Sequence, residues 1–195
     1  MIKIGINGFG RIGRLILRAL LENYKDQIQV VAINDLGSIE ANAHLIKYDS
    51  THGTLPYDVE TSKEGFKILN QNIKVFAERD PVNLPWGKVG VDVVLECTGL
   101  FLDKASAEKH IKAGAKKVIT SAPAKDVDFT IVQGVNSKDL KKEHNVISNG
   151  SCTTNCLAPV AMVLEKNFGI EYGYMTTIHS YTGDQKLLDT LHKDL

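Results

Sequence analysis

Apolar residues along this chain follow two alternating spacings, one typical of strands and the other of amphipathic helices. Short runs rich in β-branched residues predict strands at residues 3–7, 30–34, 91–97, 117–120, 129–132 and 146–149. Helical spacing occurs at residues 12–21, 41–48 and 153–167. Because strands and helices alternate, the pattern predicts an α/β fold built on a doubly wound parallel sheet of the Rossmann type.

A different pattern separates the second predicted strand from the third. Residues 57–77 carry shorter alternating segments, which predict a small antiparallel insert. Residues 80–85 read Asp-Pro-Val-Asn-Leu-Pro, which predicts a turn before the next strand.

The predicted elements divide the chain into two parts. We expect residues 1–150 to form one complete Rossmann domain. Residues 151–195 supply one helix, one strand predicted at residues 172–179 and a polar segment, which cannot bury their own apolar faces. We therefore expect residues 151–195 to be the beginning of a truncated α+β catalytic domain, in a chain that is the N-terminal part of a longer protein.

Composition excludes several classes of partner. Of the 195 residues, 43% are hydrophobic, and 23 basic residues balance 23 acidic ones, so net charge draws the chain neither to nucleic acid nor to a membrane. We expect small molecules or like subunits as partners. Three cysteines without disulfide-like spacing, no membrane-length apolar run and a strand that leaves no room for a signal peptide predict a cytoplasmic protein.

A glycine motif between the first strand and the first helix indicates a dinucleotide site. Residues 8–13 match G-x-G-x-x-G in the strand-turn-helix context that gives this motif its meaning. Gly8 permits the tight turn, Gly10 lets a pyrophosphate approach the backbone, and Gly13 lets the helix pack on the strand. The phosphates would lie on the helix N-terminus.

An acid at the end of the second strand selects the cofactor. Asp35 lies 22 residues after Gly13, where its carboxylate can accept hydrogen bonds from the adenosine ribose and repel a 2′-phosphate. This position favours NAD over NADP. The alternative is that the glycines only make a turn and that Asp35 only caps a helix.

Cys152 is the candidate nucleophile. It lies between a strand end and a helix, and the positive end of the helix dipole favours thiolate over thiol. Its predicted base is His179, at the end of the strand predicted at residues 172–179. We expect the remaining histidines to be surface or capping residues: His44, His52, His110, His144 and His192.

The other two cysteines suggest no chemistry. Cys156, one helical turn after Cys152, has no further ligands at metal-binding spacing, so no metal site is expected. Cys97 lies at the edge of an apolar run and is expected in the core.

A nicotinamide site and an activated thiolate together predict aldehyde oxidation. Attack of Cys152 on an aldehyde forms a thiohemiacetal, whose carbon can release hydride to NAD while His179 takes the hydroxyl proton. The product is an acyl thioester. Water, phosphate or another nucleophile could then accept the acyl group, and the chemistry does not choose among them.

Motifs in this order resemble those of the phosphorylating glyceraldehyde-3-phosphate dehydrogenases along the whole chain. They comprise residues 6–14, 32–35, 96–99, 121–123, 151–159 and 176–182. The resemblance implies that NAD contacts Arg11, Ile12, Asp35, Arg79 and Ser121, with Thr98 and Gly99 on the nicotinamide side. It also implies that Ser151, Thr153 and Thr182 hold substrate and phosphate around Cys152, and that His179 activates the thiol.

The resemblance further implies oxidation of glyceraldehyde 3-phosphate to 1,3-bisphosphoglycerate in glycolysis, with inorganic phosphate as acceptor, by a cytoplasmic homotetramer. Two alternatives stay open. Erythrose-4-phosphate dehydrogenases share the cysteine motif but typically have Asn-Glu where this chain has Asn34-Asp35. An inactive NAD-binding fragment is the other. Thr190 and Leu191 replace the Leu-Pro of many NAD-specific members, which leaves the strictness of NAD preference open.

Overall fold

The computed structural model describes residues 1–182, in which strands and helices alternate along the chain. The helices are α1 (Arg11–Asn23), α2 (Ile39–Lys47), α3 (Trp86–Val89), α4 (Lys104–Lys112) and α5 (Cys152–Phe168). The strands are β1 (Ile2–Asn7), β2 (Ile28–Asn34), β3 (Tyr48–Asp49), β4 (Gly53–Thr54), β5 (Val59–Thr61), β6 (Gly65–Ile68), β7 (Gln71–Phe76), β8 (Val93–Glu96), β9 (Lys117–Thr120), β10 (Phe129–Thr130) and β11 (Val146–Ser148). Short 3-10 turns occupy Pro81–Asn83, where a turn was predicted, and Ser137–Asp139.

One sheet of nine strands organises the described part of the chain, in the order β10-β11-β9-β8-β1-β2-β7-β6-β5. Neighbouring strands from β10 through β7 are all parallel. The chain winds from β1 through β2 in one direction and from β8 through β9 in the other. The predicted doubly wound, Rossmann-like sheet is therefore confirmed, and its switch point lies between β1 and β8.

Apolar clusters cover both faces of this sheet. Ile33 belongs to one cluster and its neighbour Ala32 to the other, because successive strand residues point to opposite faces. Leu17 of α1 and Ile46 of α2 close the first cluster, and Trp86 of α3 lies in the second. The sheet between these layers presents the carboxyl ends of β1, β2 and β8 at one edge, where open α/β sheets bind ligands.

The segment at residues 57–77 is part of the main sheet and not a separate insert. Strands β5, β6 and β7 pair antiparallel with one another, as the alternation predicts. However, β7 also pairs parallel with β2. Strand β7 thus satisfies the backbone groups that β2 would otherwise leave unpaired at the sheet edge.

The strand predicted at residues 172–179 is not formed, and this prediction is wrong. Residues 169–182 have no regular secondary structure and are exposed. A strand needs a hydrogen-bonded neighbour, and among residues 1–182 no strand pairs with this segment. Helix α5 likewise contains no buried residue. The boundary at residue 150 stays a prediction, and residues 183–195, with Thr190 and Leu191, lie outside the described residues.

No helix within the described residues is long and apolar enough to cross a membrane.

Candidate active site

The turn between β1 and α1 places its three glycines in three different environments. Gly8 has a φ of 89°, and a Cβ there would lie 2.8 Å from the backbone nitrogen of Thr98. A Cβ on Gly13 would lie 2.3 Å from the Gly8 carbonyl oxygen. Around Gly10, which caps the N-terminus of α1, no atom of the described residues other than its own chain neighbours lies within 4 Å of such a Cβ. The turn therefore needs glycine at positions 8 and 13 for its own packing, whereas glycine at position 10 leaves open space at a helix N-terminus.

The carboxylate of Asp35 lies directly against this turn. Its Oδ2 accepts a hydrogen bond from the Phe9 backbone N–H at 2.9 Å, and its Oδ1 accepts one from Gly37 at 2.8 Å. Helix α2 is capped by Ser38, whose hydroxyl accepts from the Ala41 N–H at 3.1 Å. The alternative in which Asp35 serves only as a helix cap is therefore wrong.

Asp35 and the glycine turn border a cleft of about 380 Å³ at the carboxyl edge of the sheet. Five residues of the predicted cofactor set line it: Gly8, Gly10, Asp35, Arg79 and Thr98. The remaining five do not: Arg11, Ile12, Gly13, Gly99 and Ser121. The lining also includes Asn7 and Asn34, the last residues of β1 and β2.

Two members of the second group have other partners. The guanidinium of Arg11 bonds to Asp49. The backbone N–H of His52 and, as the next largest cause, this bond to Arg11 hold the pKa of Asp49 well below its usual range. Ser121 donates its backbone N–H to the Glu96 carbonyl at 2.9 Å. Among the described contacts, the Arg11 side chain is therefore committed to Asp49 and not to a residue of the cleft.

Cys152 lies at the N-terminus of α5, as the sequence predicts, and the helix begins at Cys152, one residue before the predicted start. The cap is Ser151, whose hydroxyl accepts a hydrogen bond from the Thr154 N–H at 2.9 Å. The Sγ of Cys152 lies 3.1 Å from Nε2 of His179. Hydrogen bonding to His179, followed by the backbone N–H of Thr153, lowers the pKa of the Cys152 thiol.

The tautomer of His179 follows from its second ring nitrogen. Nδ1 lies 2.5 Å from the carbonyl oxygen of Ser180, which only accepts hydrogen bonds. Nδ1 of the neutral ring therefore carries the proton, and Nε2 presents its lone pair to Cys152. This is the arrangement in which the imidazole accepts the thiol proton.

A second cleft, of about 420 Å³, surrounds this pair and is otherwise largely apolar. Thr153 and Cys156 line it, together with Leu157, Val160, Met175, Thr176, Thr177 and Ile178. Of the remaining predicted substrate residues, Ser151 adjoins the nucleophile in sequence. Thr182 is exposed and does not line this cleft.

Two predictions about the other residues have opposite outcomes. Cys97 packs against the apolar core, as expected, and burial followed by the charge of Glu96 raises the pKa of its thiol to about 12. His110 was expected at the surface or as a cap, and this is wrong: its side chain is 0% exposed. Its ring bonds to Glu96 and Trp86 inside the protein, which compensates for burying a polar group.

Sequence reasoning missed a set of buried polar residues at the strand ends. These are Asn7, Asn34 and Glu96, none more than 5% exposed. Each ends an apolar strand at the sheet edge where ligands bind, a position that could have marked them. Within residues 1–182, no group of three histidine, cysteine or acidic residues could hold a metal ion.

Comparison with known proteins assigns both parts of the chain. Residues 2–104 match the family model described as the NAD binding domain of glyceraldehyde 3-phosphate dehydrogenase, and residues 151–195 match the model of its C-terminal domain. Glyceraldehyde-3-phosphate dehydrogenases of Pseudomonas aeruginosa, Streptomyces coelicolor and Geobacillus stearothermophilus are 56%, 57% and 57% identical over 195 residues. These matches cover 100% of this chain, which spans 58% of the length of each relative.

Proposed function

Because this chain belongs to the glyceraldehyde 3-phosphate dehydrogenase family, we propose that it is part of an enzyme that converts glyceraldehyde 3-phosphate to 1,3-bisphosphoglycerate. The reaction is an NAD-dependent oxidation coupled to inorganic phosphate. One observation carries the proposal: the Cys152 thiol, at a helix N-terminus, faces the unprotonated nitrogen of His179 at 3.1 Å.

Cys152 and His179 would carry the chemical steps. His179 accepts the thiol proton, the Cys152 thiolate attacks the aldehyde carbon, and His179 returns the proton to the developing alkoxide to give a thiohemiacetal. His179 then removes that hydroxyl proton as the carbon is oxidised to an acyl thioester. Bound NAD supplies the hydride acceptor for this oxidation. Phosphate attacks the thioester carbon, the C–S bond breaks, and the Cys152 thiolate is regenerated.

The first cleft would hold the cofactor. The open space at Gly10 and the N-terminus of α1 suit a pyrophosphate. The carboxylate of Asp35, which is part of the cleft lining, suits the adenosine ribose hydroxyls. Because the Arg11 side chain bonds to Asp49, we assign contacts of Arg11 and Ile12 to their backbone N–H groups in the first turn of the helix. Arg79, Thr98, Gly99 and Ser121 complete the proposed set.

The substrate set is Ser151, Thr153 and Thr182 around Cys152. Thr153 lines the second cleft and its backbone N–H helps to lower the pKa of the Cys152 thiol, which supports its place there. The assignments of Ser151 and Thr182 rest on the family resemblance. A cytoplasmic homotetramer is likewise a proposal that rests on the family.

The test is NADH formation by the purified chain supplied with NAD, glyceraldehyde 3-phosphate and phosphate, with Cys152→Ser as the control. Formation that needs Cys152 and phosphate supports the proposal. Faster turnover with erythrose 4-phosphate, independent of phosphate, would reassign the substrate. NAD binding measured by calorimetry, without turnover of either aldehyde, would identify a cofactor-binding fragment instead.

A further inference from the structure

A buried carboxylate lies at the carboxyl end of β8, next to the first cleft. Glu96 is 1% exposed, and its side chain bonds to three residues. Its Oε2 lies 2.6 Å from Asn7 Nδ2 and 2.9 Å from His110 Nε2. Its Oε1 accepts the Thr98 backbone N–H at 2.7 Å and the Thr98 hydroxyl as well. Of these residues, only Thr98 belongs to the cofactor set proposed above, and Glu96 itself has no role in the proposed chemical steps.

The direction of the bond from His110 is determined by a tryptophan. The indole Nε1–H of Trp86 only donates, and it lies 3.0 Å from His110 Nδ1. Nδ1 must therefore be the unprotonated nitrogen, and Nε2 carries the proton that is donated to Glu96. The bond from Trp86 thus orients the ring so that Nε2 faces Glu96.

The direction of the bond from Asn7 is determined by a backbone N–H on the opposite side. The Glu78 N–H donates to Asn34 Oδ1 at 2.8 Å, so the Asn34 amide nitrogen faces Asn7 and donates to its Oδ1 at 2.7 Å. The Asn7 amide nitrogen is then left to donate to Glu96. One series of hydrogen bonds thus runs from Trp86 through His110, and the other runs from the Glu78 N–H through Asn34 and Asn7. Each series begins at a group that only donates, and both end at the Glu96 carboxylate.

The Asn7 amide, the His110 ring and the Thr98 backbone all donate to the Glu96 side chain, which accepts each of these bonds inside the protein. Burying a carboxylate costs free energy that an apolar side chain would not. The bonds that offset this cost hold Asn7 and Thr98, and both line the first cleft. The Thr98 turn also packs against Gly8, where a Cβ would lie 2.8 Å from the Thr98 backbone nitrogen. One carboxylate thus connects the glycine turn to the turn after β8.

The topology shows which half of a dinucleotide these residues would meet. Asp35 follows β2, on one side of β1, and Thr98 follows β8, on the other side. A dinucleotide lies across the switch point with its adenosine ribose at the acid after β2. Its nicotinamide half therefore extends over the end of β8.

We propose that Glu96 is a positioning residue for the nicotinamide half of bound NAD, acting through the Thr98 turn and the Asn7 amide. This inference rests on the proposed NAD-dependent function. Replacing a residue needed only for folding would weaken binding of both halves of the cofactor. Replacing Glu96 should instead weaken only the binding that the nicotinamide half contributes.

The experiment compares NAD with ADP-ribose, which lacks the nicotinamide, by titration calorimetry on the chain and its variants. Glu96→Gln replaces one acceptor oxygen with an amide nitrogen that faces two donors. NAD affinity should fall roughly tenfold, while ADP-ribose affinity stays within about twofold. Glu22→Gln removes the same negative charge at an exposed position of α1, and it should leave both affinities unaltered.

Thr98→Val provides a second variant that spares the core. It removes the hydroxyl donor and keeps the shape and the backbone N–H. It should weaken NAD binding roughly threefold without affecting ADP-ribose, and it carries the test if circular dichroism shows Glu96→Gln unfolded. Equal losses for both ligands, or no loss, would overturn this inference alone. Failure of the unaltered chain to bind either ligand would overturn the proposed function and the inference with it.

Discussion

The Sγ of Cys152 lies 3.1 Å from Nε2 of His179, and the other ring nitrogen of His179 donates to the Ser180 carbonyl. The imidazole is thus oriented by the backbone beside it, and its lone pair points at the thiol. Both partners are exposed, so reagents in solution can reach the pair.

We expect Cys152 to react with iodoacetamide faster than the other two cysteines at neutral pH. The His179 hydrogen bond lowers its pKa, whereas burial raises the pKa of Cys97 to about 12. Cys156 is exposed and thus controls for access. Mass spectrometry of tryptic peptides over time should show Cys152 modified at least roughly tenfold faster than Cys156. Equal labelling of Cys152 and Cys156 would contradict an activated thiol.

His179→Gln should move the pH dependence of this reaction upwards. The largest cause of the lowered Cys152 pKa is the hydrogen bond to His179, so removing it returns the thiol towards its usual range. Alkylation rates measured across pH should show a higher midpoint in the variant. His52→Gln, at an exposed loop position, is the matched control. An unchanged midpoint would show that the helix N-terminus alone activates Cys152.

Alanine at Gly13 and at Gly10 should have different effects on stability. The Gly13 Cβ would lie 2.3 Å from the Gly8 carbonyl, so Gly13→Ala should lower the free energy of unfolding by about 1–3 kcal/mol. Gly10 has a φ of −72°, and a Cβ there would lie in open space. Gly10→Ala should therefore change the free energy of unfolding by less than about 1 kcal/mol.

The same pair of variants tests the cofactor site. Gly10→Ala should still weaken NAD binding, because the new methyl group occupies the space assigned to the pyrophosphate. Urea unfolding and calorimetric titration measure the two effects separately. Full NAD affinity in a folded Gly10→Ala chain would argue against that assignment.

Asp128 should make stability depend on acid pH. Its carboxylate accepts from Lys104 Nζ at 2.6 Å and from the Asn145 and Val146 N–H groups at 2.8 and 2.9 Å. The Lys104 bond is the largest cause that lowers the pKa of Asp128 from 3.8 to about 2. Because the folded pKa is the lower one, the contribution is complete above 3.8 and is lost as pH falls towards about 2.

Asp128→Asn tests this pH dependence by urea unfolding. The variant should lose about 1–3 kcal/mol at neutral pH and respond less to acid between pH 4 and about 2. Asp58→Asn is a suitable control, since its side chain is 97% exposed. Parallel acid curves for the unaltered chain and Asp128→Asn would contradict the role of this carboxylate.

Local patterns were sufficient to predict much of the fold. The alternation of apolar runs predicted the parallel sheet, and the residues before and after each run predicted the glycine turn and a helix with Cys152 at its N-terminus. These features depend on backbone conformation and burial of nearby residues, which short stretches of sequence encode. Residues 172–179 were predicted wrongly because a strand also requires a partner, which no local pattern supplies.

By itself, the sequence determined the fold class, the position of Cys152 at a helix N-terminus and the acid after the second strand. The tertiary structure alone decided that His110 is buried, that Asp35 bonds to the Phe9 N–H, and that Glu96 collects hydrogen bonds from three residues. The physical reason is distance along the chain. Asn7 and Glu96 are 89 residues apart, and only the pairing of β1 with β8 brings their side chains within hydrogen-bond distance.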